Sequence, residues 1–264
     1  MEIREKNVII TGAASGVGKE LTKQMLAKNC SVAALDINED NLNKLKEEFN
    51  SDKLKTYIVD MGNKESIGKF KEEYEKDFSS ADIIINNAGI IQPFVTVDKL
   101  DDATINRVMN INFFGPINLI KSFLNDLKKA KDEKYIVNVS SMGGFFPFPG
   151  QTVYGASKAA LKIFTEGLYA ELDQTNVKVM IVLPGAMNTN ITTNSNVEVK
   201  TTKENTSMKM LEASEAASEI INGIEKNKFK LFLGSDSKFL RFLYKINSKF
   251  AISFINKKMS KINN

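Results

Sequence analysis

Tyr154 and Lys158 stand four residues apart in the stretch Thr152 to Lys158, a spacing that puts a phenol and an ammonium on one face of a helix. A tyrosine free in water has a pKa of about 10 and is a poor base near neutrality, whereas a cation one turn away favours the phenolate. Such a pair can carry a proton to or from an alcohol or carbonyl oxygen. Spacing alone carries little, because six tyrosines and 33 lysines in 264 residues are expected to supply nearly one such pair by chance. Context gives it weight: Ser140 and Ser141 end an apolar run directly before Gly143-Gly144, where a hydroxyl can hydrogen-bond a reacting carbonyl oxygen. Histidine is absent, which removes Ser/His/Asp triads, HExxH zinc sites and imidazole acid/base catalysis. No metal site is suggested.

Interconverting an alcohol and a carbonyl also moves a hydride, which needs a carrier, and one segment has the pattern to hold it. Thr11-Gly12-Ala13-Ala14-Ser15-Gly16-Val17-Gly18 joins an apolar run to a helical pattern at Lys19 to Lys28. Gly12 permits a tight turn, Gly16 lets backbone approach a pyrophosphate and Gly18 permits close helix-to-strand packing. The helix N-terminus offers unpaired N–H groups and a positive dipole end to phosphates. The spacing departs from GxGxxG by one residue, and three glycines in seven residues also suit a plain flexible turn. Asp36 lies eighteen residues beyond Gly18, close to where an acid binds an adenosine ribose 2′-OH and repels a 2′-phosphate. Ile37, Asn38, Ala14 and Ser15 bring no cation, so NAD is favoured, with NADP the alternative. Asp36 also suits a helix N-cap.

These groups need a frame. Asn7 to Thr11, Ser31 to Asp36, Leu54 to Asp60, Ile83 to Asn86, Tyr135 to Ser140 and Val177 to Leu183 read as strands separated by helical segments. Strands apolar on both faces imply βαβ crossovers and an α/β, doubly wound parallel sheet covered by helices on both sides, a Rossmann fold. No repeat or Pro/Gly/Ser-rich linker divides the chain, so residues 1–235 read as one catalytic domain. Residues 236–264 read as a basic amphipathic helical extension. Asn188 to Ser207 is rich in Thr and Asn; the span 190–210 reads as a substrate lid or a plain surface connection.

Together the motifs make the chain resemble the short-chain dehydrogenase/reductase family, from about Lys6 to Thr189. The family's TGxxxGxG matches Thr11 to Gly18, its NNAG matches Asn86-Asn87-Ala88-Gly89 and its YxxxK matches Tyr154 to Lys158. Its serine, thirteen residues before the tyrosine, falls on Ser141, and its asparagine on Asn112 of Asn112-Phe113-Phe114-Gly115. The resemblance implies that Tyr154 is the acid/base, that Ser141 orients the substrate oxygen and that Lys158 holds the nicotinamide ribose and lowers the phenol's pKa. Asn112 would support a water relay. The cofactor set it implies is Gly12, Ser15, Gly16, Val17, Gly18, Asp36, Asp60, Met61, Asn87, Ala88, Gly89, Tyr154, Lys158, Pro184, Gly185 and Thr189. Asp60 and Met61 fall in the adenine pocket, and Pro184-Gly185 with Thr189 match PGxxxT, whose threonine contacts the carboxamide. The family assembles through its fourth and fifth helices, implying a homodimer or homotetramer through Leu100 to Lys129 and Val153 to Leu172. Rival readings are an NADP-dependent carbonyl reductase and a dinucleotide-sensing protein without turnover.

Ser141, Gly143, Phe145 and Met187 are the substrate-side candidates. Phe145, Phe146, Pro147 and Phe148 suggest a lipophilic carbonyl or secondary alcohol, or else a core or subunit contact. The single Cys30 cannot form an internal disulfide and suits a reducing, cytoplasmic setting. No signal peptide or membrane span is read. From Ser237 onward there are seven Lys/Arg and no Asp/Glu, which leaves 29 basic and 32 acidic residues before it. The body is therefore near −3 and the tail near +7, and nucleic acid is not an expected partner. Phe239, Leu243, Ile246 and Phe250 recur at helical spacing with Arg241, Lys245 and Lys249 between them. That pattern fits a peripheral membrane helix, a subunit contact or a helix covering the body.

Overall fold

The computed structural model describes residues 1–188, 191–195, 197 and 210–260. Seven parallel strands form one sheet: β1 (Asn7–Thr11), β2 (Ser31–Asp36), β3 (Leu54–Ile58), β4 (Ile83–Asn86), β5 (Lys134–Val139), β6 (Val177–Pro184) and, beyond a two-residue ladder of β7 (Met187–Asn188) with β8 (Leu211–Glu212), β9 (Lys230–Leu233). Their order is β3-β2-β1-β4-β5-β6-β9. The order turns back on itself between β1 and β4, and ligands of open α/β sheets bind at the carboxyl edge of that switch.

Alternation in the central strands explains why both faces are covered. Val8 and Ile10 of β1 pack with Ile83 and Ile85 of β4 on one side, while Ile9 packs with Ile84 on the other. The first side is closed by α1 (Gly16–Ala27), α2 (Glu39–Phe49) and α8 (Ala213–Glu225), through residues such as Leu21, Met25, Leu42 and Ile220. The second is closed by α3 (Lys64–Asp77), α5 (Gly115–Lys129) and α6 (Thr152–Glu171), through Phe70, Tyr74, Phe123 and Leu168. Burying apolar side chains on both faces is worth roughly 25 cal/mol per Å², which is the drive for this layered arrangement. Between α3 and α5 lies α4 (Asp102–Met109), started by the Asp101 carboxylate accepting from Thr104 N–H at 2.7 Å.

Six expected strands are present, with β3 ending two residues earlier, β5 starting and ending one residue earlier and β6 ending one residue later. The short β9 was not expected. The tail is two helices rather than one: α9 (Ser235–Ile246) stops at Asn247, whose extended backbone turns the chain into α10 (Ser248–Ser260). A short helix, α7 (Ile191–Asn194), is the described beginning of the expected lid; the rest of that span and Thr189 lie mostly or wholly outside the described residues.

At the amino edge of the sheet, Asp82 ties three strands together. Its carboxylate accepts from Asn7 N–H at 2.7 Å and from the buried Lys134 ammonium at 2.6 Å. Removing one partner of a buried pair leaves the other charge uncompensated. Asp82→Ala is therefore expected to lower the unfolding free energy by about 3 kcal/mol in a urea titration. A loss under about 0.5 kcal/mol would mean that Asp132 alone satisfies Lys134.

Candidate active site

Where β1 gives way to α1, the backbone is shaped for close approach. Gly12 and Gly16 adopt φ of +64° and +50°, the left-handed region in which a side chain is strained. A Cβ on Gly18 would collide with the Gly12 carbonyl. Ser15 precedes α1 with extended backbone and makes no side-chain capping bond, so the first turn keeps N–H groups available to an anion. Thr11 fixes the opposite wall: its Oγ1 accepts from the N–H groups of Asn87 and Ala88, while Asn87 Nδ2 donates to the Thr11 and Gly12 carbonyls. Asp36, at the end of β2, accepts from Ala14 N–H at 3.1 Å and from Asn38 N–H at 3.1 Å. The cap of α2 is Asn38, whose side chain accepts from Asn41 N–H.

Tyr154 and Lys158 occupy the first two turns of α6 and line the same cavity as Gly12, Gly16 and Asp36. Burial pushes the Tyr154 phenol above its ordinary range, and a hydrogen bond with the Ser141 hydroxyl pulls it back. Burial also pushes Lys158 down to about 8. Its ammonium donates to the Val139 carbonyl at 2.9 Å. A Cβ on Gly89 would lie 3.0 Å from Lys158 Nζ and 3.3 Å from Asn112 Oδ1, so both converge on that glycine. The two serines differ in their partners: Ser140 Oγ donates to the Lys158 carbonyl at 2.8 Å, binding α6 to the end of β5, whereas Ser141 is the hydroxyl at Tyr154.

Asn112 lies in a π-helical bulge, Asn110–Phe114, between α4 and α5. Fully buried, it accepts from Ile90 N–H and donates to the Ile90 carbonyl and to Ser157 Oγ. It ties the turn after Gly89 to α6. A π-bulge has no marker in an amino-acid pattern, though such bulges gather at functional sites.

The cavity encloses about 830 Å³. Ser15, Val17, Asp60, Met61, Asn87, Ala88, Gly89, Pro184, Gly185 and Met187 line it as well. Gly18 and Asn112 support it from behind and do not line it. Gly143 also stays out of the lining, but a Cβ there would sit 3.3 Å from the Tyr154 ring. Phe145 is placed elsewhere: it packs edge-on to Phe232 at 5.8 Å, and from the same run Met142 and Phe148 reach the cavity instead. On the outer side, Asn194 of α7 donates to Ser15 Oγ at 2.9 Å, and Ser195 Oγ accepts from Ile91 N–H at 3.0 Å.

Three residues escaped the reading of the sequence. The Gln92 side-chain carbonyl accepts from the N–H groups of Val153 and Tyr154, at 2.8 and 3.0 Å, and so caps the helix that carries the phenol. Gln151 donates to the Gln92 carbonyl and lines the cavity; its own buried Oε1 has no hydrogen-bond partner among the described residues. Among the described residues, Arg107 of α4 and Lys158 are the two cations lining the cavity. The only available signal was the position of Gln92 three residues after the Asn86 to Gly89 motif, which says nothing of its long-range partner.

Comparison with known proteins fits this geometry. A family profile described as short chain dehydrogenase matches residues 6–200. Over 190 residues the chain is 34% identical to 3-ketodihydrosphingosine reductase of Bacteroides thetaiotaomicron, covering 72% of this chain and 67% of that protein. Among solved structures, a short-chain dehydrogenase of Burkholderia cenocepacia in complex with NADP superposes with a TM-score of 0.81 at 23% identity, over 97% of this chain and 99% of that one. A short-chain dehydrogenase/reductase of Burkholderia phymatum in complex with NAD gives 0.80 at 20% identity, over 88% and 90%. The last two likenesses concern the fold. With the profile match over most of its length, the chain belongs to the short-chain dehydrogenase family of oxidoreductases.

Proposed function

We propose that the chain interconverts a carbonyl and an alcohol with a nicotinamide dinucleotide, Tyr154 carrying the proton. The observation that supports this most directly is one cavity lined by the glycine turn, Ser141, Tyr154 and Lys158 together. The residues present fit such a cofactor: the Gly12 to Gly18 turn and the uncapped start of α1 suit its phosphates, and Asp60 and Met61 its adenine. Lys158 suits its nicotinamide ribose, and the Pro184-Gly185 edge its carboxamide. When bound, the cofactor supplies or accepts the hydride. Ser141 then fixes the substrate oxygen next to Tyr154, whose phenol gives up or takes the proton, and Asn112 holds the Ile90 backbone and Ser157 in place around them. α7 covers the cleft from outside through Ser15 and Ile91.

Asp36 supports NAD, since its carboxylate stands at the glycine turn with Ile37 and Asn38 beside it and no cation among them. An NADP preference has one observation in its favour, Arg107. Ile91, Phe94, Met142, Phe148 and Met187 give the substrate side an apolar lining, which with the name of the Bacteroides relative supports a lipophilic ketone or secondary alcohol. Gln151 Oε1 offers that substrate an acceptor.

The defining experiment follows NADH oxidation against ketones of increasing chain length, with Tyr154→Phe alongside. Turnover that improves with chain length is expected, together with a loss of about 10²-fold or more in kcat for Tyr154→Phe. NADH affinity should stay within a few-fold in that variant, and NADPH should bind at least about tenfold more weakly to the native chain. Equal turnover in Tyr154→Phe would remove Tyr154 as the proton carrier, and NADH binding without turnover of any ketone by the native chain would leave the reading of a dinucleotide-binding protein.

Gln92 should act through the orientation of Tyr154. Gln92→Leu leaves two N–H groups at the start of α6 without an acceptor, for an expected stability loss of about 2 kcal/mol. Its kcat should fall while KM moves little, and Gln92→Glu, which keeps the acceptor oxygen, should recover most of kcat. Equal losses in both variants would assign Gln92 to folding alone.

A second copy of the chain is proposed to pack on α5 and α6, where Phe114 of the π-bulge leading into α5 and Ile163 of α6 are exposed apolar residues. Ile163→Lys should then sediment as a smaller species than the native chain, and unchanged sedimentation would place the contact elsewhere.

A further inference from the structure

The sequence offers Phe239, Leu243, Ile246 and Phe250 as one apolar stripe of the tail, and the fold divides it. Leu240, Ala251 and Ile255 are buried against Phe146, with Met142, Phe145, Phe148, Leu243 and Tyr244 packed around them. Another stripe faces outward. Phe239, Phe242 and Ile246 follow at i, i+3 and i+7 of α9, the spacing of one helix face, with Phe242 65% and Ile246 67% exposed. Past the Asn247 corner, Phe250 is 57% exposed and stacks with the exposed Phe254 of α10 at 6.4 Å.

Cations border this apolar surface. Lys238, Lys245 and Lys249 are exposed, while Arg241 lies over the Phe232 ring at 4.2 Å. The segment from Ser237 to the end has no acidic residue, against a body with a small acidic excess. A self-complementary contact between two copies would bring these lysines against their own equivalents without an acid from the same segment to meet them. An anionic bilayer complements both features: it attracts the lysines and takes up phenylalanine rings at headgroup depth without requiring shape complementarity.

The position of the two helices adds a consequence. At the start of α9, Asp236 accepts from Ala186 N–H at 2.7 Å and Ser237 donates to the Leu183 carbonyl at 2.8 Å, on either side of Pro184 and Gly185 in the cavity wall. Met142 and Phe148 belong both to the cavity lining and to the cluster beneath the helices. A surface engaged by α9 and α10 therefore sits next to the cavity rim.

We propose that the outer face of α9 and α10 docks on anionic membrane surfaces, holding the cavity rim close to the bilayer. The docking itself does not depend on the substrate proposed above. The test is sedimentation of the full chain with phosphatidylcholine vesicles, with and without phosphatidylglycerol. Two variants at exposed positions accompany it, Lys238→Gln/Lys245→Gln/Lys249→Gln and Phe242→Ser/Ile246→Ser/Phe250→Ser, each checked for native thermal unfolding. Binding to the anionic vesicles alone is expected, weakened roughly 100-fold by the lysine variant, lost in the apolar variant and reduced by salt. No binding to anionic vesicles, or binding that neither variant weakens, overturns the proposal. So does a native dimer that the apolar variant converts to monomer, because the face would then belong to a second copy.

Discussion

The cleft exists because β1 and β4 are braced where their connections leave in opposite directions. Thr11 does this with a single hydroxyl that takes the N–H groups of Asn87 and Ala88, while the Asn87 amide returns two bonds to the turn carbonyls. Backbone groups at the end of a strand would otherwise be left without ladder partners, at a cost comparable to a lost hydrogen bond. Meeting them with one threonine and one asparagine leaves no bulk above the turn. Gly12 lies so close to Ala88 that a Cβ would reach its Cα at 3.0 Å. The same bracing that closes the sheet edge therefore keeps its mouth open.

Against this fixed wall, α6 is held by polar contacts rather than by packing alone. Gln92 caps its first turn, Ser140 takes the Lys158 carbonyl as acceptor and Ser157 accepts from Asn112. Each is buried or partly buried, and an unmet partner there is penalised more heavily than at the surface, so the helix has little freedom to slide or rotate. Tyr154 and Lys158 inherit that restriction. Under the proposed chemistry, a helix clamped in this way would give these two side chains the precision that proton transfer requires.

Local pattern and long-range contact explain what could be read beforehand. The strands were legible because a sheet covered on both faces demands unbroken apolar runs, and Ile83 to Asn86 has no other plausible use. The glycine turn was legible because its constraint is steric and falls on the glycines themselves. Gln92 was not, since its partners lie about sixty residues away and any polar residue may stand in that position of a loop. The tail was legible in part for a related reason. Helical periodicity identifies apolar positions, but which of them are buried depends on the Met142 to Phe148 segment, against which Leu240 of α9 and Ala251 and Ile255 of α10 pack. Phe145 and Phe148 show the same limit: three residues apart and packed against one cluster, only Phe148 also reaches the cavity.

The electrostatics of the pair also needed three dimensions. One helical turn of separation predicts that the ammonium stabilises the phenolate, yet the enclosure that brings the groups together disfavours charge on both, raising Tyr154 and lowering Lys158. The two effects have a common origin, because a region that solvates ions poorly also screens them poorly. A further positive charge entering the cavity would thus act on Tyr154 more strongly than it could in water. Under the proposed chemistry, an oxidised nicotinamide ring brings such a charge and a reduced ring does not. The phenol is then readiest to release its proton onto the path toward alcohol oxidation when the oxidised cofactor is in place, and readiest to hold it for carbonyl reduction when the reduced form replaces it. Burial, which on its own makes the phenolate scarcer, would under that chemistry also strengthen the effect of cofactor charge on its protonation.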